Sequence, residues 1–104
     1  MERKFEITMH APLGKRHGSM RFTEKDGNIS GMLELLGGKD SFKGTVAENG
    51  TIKFSGEITS RLHSFAYLAM GTITGSDMKL NVTGDRYSFR ITGEEIISQE
   101  ETTK

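Results

Sequence analysis

Apolar side chains recur at every second position in eight successive runs, near residues 3–10, 18–25, 28–36, 41–47, 51–59, 62–73, 77–84 and 87–93. Alternation with a period of two is the mark of a strand with one buried face. The inward set is Phe5, Ile7 and Met9; Met20 and Phe22; Ile29, Leu33 and Leu35; Phe42 and Val46; Ile52, Phe54 and Ile58; Phe65, Tyr67 and Ile73; Met78, Leu80 and Val82; Tyr87, Phe89 and Ile91. Charged residues within the runs test this register independently. Glu6, Arg21, Glu34, Lys43, Lys53, Glu57, Lys79 and Arg90 all carry the opposite parity, and a register shifted by one residue would bury them unpaired.

Turn-forming clusters separate the runs: Asp26-Gly27-Asn28, Gly37-Gly38-Lys39-Asp40, Glu48-Asn49-Gly50, Gly75-Ser76-Asp77 and Gly84-Asp85-Arg86. Their spacing suits hairpins in an all-β domain. The longest connection is expected over Ala11-Pro12-Leu13-Gly14-Lys15-Arg16-His17-Gly18. The fold class that follows is all-β, a single eight-stranded antiparallel up-and-down barrel. Thirteen Gly against one Pro fits many tight turns, whereas each Gly inside a helix costs about 1 kcal/mol. Residues 1–97 form the expected barrel domain, and the polar stretch 98–104 is expected to be disordered.

Gly18, Gly31, Gly44, Gly56, Gly71, Gly84 and Gly93 share the inward parity. They mark either kinks where a small barrel coils sharply or gaps that leave a cavity. Eight strands enclose an interior that side chains can fill or that holds one small ligand.

The hairpin Gly71-Thr72-Ile73-Thr74-Gly75 with Met78-Lys79-Leu80-Asn81-Val82, and the closing run Tyr87-Ser88-Phe89-Arg90-Ile91-Thr92-Gly93, resemble the small calycin-like (lipocalin-like) barrels of bacteria. The resemblance spans roughly residues 3–94 and implies, by analogy with lipocalins and fatty-acid-binding proteins, an apolar small-molecule ligand. The chain departs from lipocalins in having no Trp, and so no Gly-x-Trp motif.

Charge changes the picture only locally. Fourteen basic and fourteen acidic residues balance, so neither a nucleic acid nor an anionic membrane is an expected partner. The absence of Cys excludes disulfides and thiolate chemistry. No apolar run approaches the ~20 residues of a membrane-spanning helix, and a cytoplasmic protein is expected. Alternating connections gather Lys15, Arg16, Lys39, Arg61 and Arg86 at one barrel end with Asp40 and Asp85, while acidic residues dominate the other. The basic end reads as a mouth for an anion or simply as a solvated rim.

The interior candidates for a ligand are Phe22, Leu33, Phe54, Phe65, Tyr67 and Phe89, with Arg16, Arg61 and Arg86 at the rim. His10, His17 and His63 are too scattered to suggest a shared metal, and no nucleophile elbow is signalled; catalysis, metal and cofactor are not expected. The sixth run, Phe65-Ala66-Tyr67-Leu68-Ala69-Met70, is apolar on both faces. Its outward residues Ala66, Leu68 and Met70 are candidates for a homodimer contact, or for cover by Ile96 and Ile97. Met32 and Leu36 also carry outward parity. Two functions follow: a barrel that binds an apolar or anionic small molecule, or a ligand-free barrel that associates with itself or another protein.

Overall fold

The computed structural model describes residues 2–12, 14–59, 64–85 and 87–96. They form β1 (Glu2–Ala11), β2 (Gly14–Lys25), β3 (Asn28–Leu35), β4 (Gly38–Val46), β5 (Thr51–Thr59), β6 (Ser64–Thr74), β7 (Asp77–Gly84) and β8 (Ser88–Glu95). Every strand pairs antiparallel with the next, and β1 pairs with β8, so the meander closes into a barrel in chain order. The expected architecture is the observed one.

The alternation that identified the strands positions the core. Phe5, Ile7, Met20, Phe22, Ile29, Leu33, Leu35, Phe42, Ile52, Phe54, Ile58, Met78, Leu80, Val82 and Ile91 are buried, and the eight charged residues of opposite parity are exposed. Ala69, the small inward residue of β6 that the apolar run concealed, is fully buried.

Register then explains the inward glycines. Along one row of cross-strand partners the inner face reads Phe22, Gly31, Phe42, Gly56, Tyr67, Gly84. Large and small residues alternate around the wall, as the interior of a small barrel requires. A Cβ at Gly44, one row away, would collide with the Lys53 carbonyl and lie 2.5 Å from Phe54 Cα. Gly31 and Gly71 stand against the Arg21 and Lys79 carbonyls in the same way. These are sites of close backbone approach, overlain by a neighbour's large side chain, and their missing side chains are not empty volume.

Three local expectations need correction. The stretch Ala11–Gly18 is not a long loop: β1 and β2 pair as far as Ala11 and Gly14, leaving a tight hairpin. Residues 14–18 extend beyond the end of β3, whose pairing with β2 starts at Ser19 and Glu34. The third hairpin turns at Leu36 and Gly37, with φ of 57° and 83°, not across Gly37–Asp40. Positive φ at both central positions suits the twist of a two-residue hairpin, and Leu36 offsets its strain by packing on the core. Tyr87 precedes β8 and is 39% exposed, because its ring lies over Gly84, edge-on to Phe65 at 4.6 Å. The expected tail beyond Ile96 lies outside the described residues.

Replacing Gly44 by Ala should destabilise the barrel by about 2–3 kcal/mol through overpacking against backbone, whereas most exposed outer-face changes stay within about 0.5 kcal/mol. Urea denaturation of Gly44→Ala beside Thr45→Ala measures the contrast.

Candidate functional site

The six interior candidates divide by depth. Phe22, Leu33, Phe54 and Tyr67 are buried, each at most 5% exposed. Phe65 and Phe89 are half-buried and pack against the core at the end where β6 and β8 begin. The buried aromatics touch one another: Phe42 and Phe54 lie 4.4 Å apart, Phe54 meets Tyr67 edge-on at 5.9 Å, and Phe22 stacks on Phe5 at 6.1 Å. Side chains thus occupy the inner space around these rings.

Tyr67 is the exception within this packing. Its hydroxyl is buried and has no hydrogen-bond partner among the described residues. Gly56, its register partner, makes room for the phenol: a methyl group there would sit 3.2 Å from the Tyr67 oxygen. Burial, and then the negative charge of Asp40, push the Tyr67 ionisation well above its ordinary range. The group is therefore a neutral donor, and an unsatisfied buried hydroxyl costs about 1–3 kcal/mol.

Asp40, expected in a turn, belongs to β4, with inward parity at the strand end. The β4–β5 ladder runs only to Phe42 and Gly56 at this end. Beyond it the Asp40 carboxylate accepts 2.8 Å hydrogen bonds from the Thr59 N–H and the Thr59 hydroxyl, bridging the gap.

Of the rim cations, Arg16 is exposed on the extended end of β2, where its guanidinium donates to the Lys15 carbonyl at 3.3 Å. Arg61 and Arg86 lie outside the described residues, as does His63. Lys39 approaches Glu34 at 3.7 Å, both exposed. His10 and His17 face outward from neighbouring strands and engage different hydroxyls, His10 with Thr92 at 2.9 Å and His17 with Thr8 at 3.2 Å. Among the described residues no cluster of three His, Asp or Glu gathers to hold a metal. No helix among them is long and apolar enough to cross a membrane.

The opposite end carries an ion pair that parity could have revealed. Arg3 and Glu95 both point inward from the first and last strands, where the barrel opens. Arg3 makes a bidentate contact to Glu95 at 2.9 and 2.7 Å and donates to the Gly75 carbonyl at 3.1 Å. It thereby ties β1 to β8 and to the β6–β7 turn. The hydrogen bond from Arg3 holds the Glu95 carboxyl below its usual value against the opposing effect of partial burial.

On the outer wall, Ala66, Leu68 and Met70 are exposed, Leu68 at 39% and Met70 at 48%. They form a continuous apolar strip along β6. A groove beside its Ala66 end is lined by Phe65, Ala66, Leu68, Thr83, Asp85 and Tyr87. Ile96 does not cover this strip: it accepts its place beside β1, donating its N–H to the Lys4 carbonyl, and lines a separate groove with Thr8, His17, Lys79 and Thr92. Ile97 lies outside the described residues. Met32 is half-buried on β3, and Leu36 packs inward, so neither extends the strip.

No protein-family model, curated protein or solved structure matches the chain. Its class is defined by its own geometry, a closed eight-stranded antiparallel barrel.

A lowered Glu95 pKa stabilises the fold above the unfolded-state value and loses that contribution as pH falls through the folded value. Arg3→Met should cost about 1 kcal/mol near neutral pH. Urea melts from about pH 6 down to pH 3 should show the gap between wild type and variant narrowing; a constant gap would remove the carboxylate from the account.

Proposed function

We propose that the chain is a calycin-like barrel that works as an association module, pairing with a second copy through the outer face of β6. The observation that carries this reading is the exposed strip Ala66, Leu68 and Met70 on a wall whose outward positions on the other strands are polar or charged apart from the half-buried Met32. Apolar area exposed in a contiguous strip is stabilised by burial against a partner. Methionine adapts its shape to such a contact. The packing of Phe42, Phe54 and Tyr67 inside the barrel adds support, since it places the free apolar surface outside.

Sedimentation velocity over a broad concentration range tests the reading. Wild type should pass from monomer to dimer, and Leu68→Glu should remain monomeric with an unchanged urea midpoint. A wild type that stays monomeric at the highest attainable concentration sinks the proposal.

The unpartnered Tyr67 hydroxyl favours a second reading, in which the Phe65 and Phe89 end admits a small molecule whose acceptor atom takes the phenolic hydrogen bond. Rim cations such as Arg16 would then favour an anionic head group. Removing an unsatisfied hydroxyl should leave Tyr67→Phe as stable as wild type or up to about 1 kcal/mol more so. Under this reading, decanoate raises the melting temperature of wild type and not of Tyr67→Phe. Equal responses, or none, remove it.

A further inference from the structure

Charges around the β6 strip determine how a second copy can be turned, an inference that rests on the strip being the self-association surface. Lys53 on β5 stands beside Met70, Ser55 beside Leu68 and Glu57 beside Ala66. On the other flank, β7 places Asn81 beside Met70 and Thr83 beside Leu68. Asp85 lies just past Gly84, the last residue of β7, and shares the groove with Ala66 and Leu68. All these flanking side chains are exposed. The patch is therefore polarised along the strand, with a cation at its Met70 end and two carboxylates at its Ala66 end.

Two copies meeting face to face by two-fold symmetry must share an axis that lies in the plane between them. An axis running along β6 would set Glu57 against the partner's Asp85, twice, and leave Lys53 facing the uncharged Asn81. An axis running across β6 at Leu68 reverses the second strand. Lys53 then meets the partner's Glu57, again twice, and Asn81 can donate to the partner's Asp85. Met70 also comes over the partner's Ala66, a large side chain over a small one, while Leu68 meets its own counterpart at the axis. Like-charge contacts across an interface are strongly disfavoured and opposite charges fix its register.

We propose that β6 of one copy lies antiparallel across β6 of a second, about a two-fold axis at Leu68, with Lys53 of each copy facing Glu57 of the other. The strand directions depart from antiparallel by the ~30° usual for stacked sheets about 10 Å apart.

The arrangement has a signature that acts only between copies. Lys53 and Glu57 lie four residues apart on one strand, about 13 Å, and neither belongs to an ion pair found among the described residues. Lys53→Glu and Glu57→Lys, each measured alone by sedimentation, should raise the dimer dissociation constant about 10-fold or more, since each repeats a like-charge contact on both sides of the axis. An equimolar mixture of the two should recover the wild-type constant and appear in native mass spectrometry as the heterodimer. The double variant should recover as well.

Single variants that dimerise like wild type, a mixture no stronger than its components, or a Glu57→Lys chain that dimerises more tightly would each overturn the crosswise axis. If those results accompany a dimer still broken by Leu68→Glu, the association surface stands and only the orientation falls. A wild type that never dimerises overturns both.

Discussion

The alternation of large and small residues around the inner wall is the constraint on which the rest of the barrel depends. Phe22 lies against Gly31, Phe42 and the Tyr67 hydroxyl lie against Gly56, and the Tyr87 ring lies over Gly84, so aromatic side chains take up space that a glycine leaves. A wall of eight strands cannot carry a ring at every inward position. Nor can it carry small residues throughout and remain packed at the density of a protein interior. Because each ring requires its glycine on the neighbouring strand, the row also sets register. A slip of two residues would keep inward faces inward, yet between β4 and β5 it would set Phe42 against Phe54 in one direction or Gly44 against Gly56 in the other.

Where the rows run out, at the two barrel ends, inward-pointing positions face solvent and polar groups take over. Arg3 and Glu95 close one end through a half-buried bidentate contact. Asp40 spans the opening between β4 and β5 at the other by substituting its carboxylate for a missing strand carbonyl. Tyr67 lies just inside that second end, apolar enough in its ring to belong to the core and polar enough at its tip to lack a partner there. The outer wall is simpler, because polar and charged side chains keep it solvated, with the half-buried Met32 and the apolar strip of β6 as the exceptions among the described residues.

Much of this architecture was legible in the chain because parity is a local property. Eight alternating runs, the exposed faces of Glu6, Lys53 and Arg90, and the two-sided apolar run of β6 could be read without knowing which strand lies beside which. The glycine–aromatic row could not, since it exists only once Gly31 is paired with Phe22 on one side and Phe42 on the other. The same limit hid the start of β2: Lys15, Arg16 and His17 are polar and resemble a loop, yet the backbone of β1 supplies the ladder that makes them a strand. Tyr87 followed the parity of its run but was drawn onto Gly84 by ring contact with Phe65. For the candidate site, the exposed positions of Ala66, Leu68 and Met70 followed from parity, whereas the unpartnered hydroxyl of Tyr67 depends on what surrounds it in space. Arg3 and Glu95 had the inward parity that marked them, but the rule that charges face outward obscured a pair at the barrel's open end.

The pairing of β1 with β8 has a consequence for synthesis. Seven of the eight strand pairings join neighbours in the chain, and hairpins of that kind form in microseconds. The eighth brings Phe5 to Glu95 and is available only after β8 has left the ribosome. Until then the nascent meander is an open sheet whose first strand offers an unsatisfied backbone edge to any neighbour, including another nascent copy on the same message. The final strand therefore acts as the stitch that converts a sticky ribbon into a closed cylinder, and a pause in translation before it is added prolongs the period of greatest exposure.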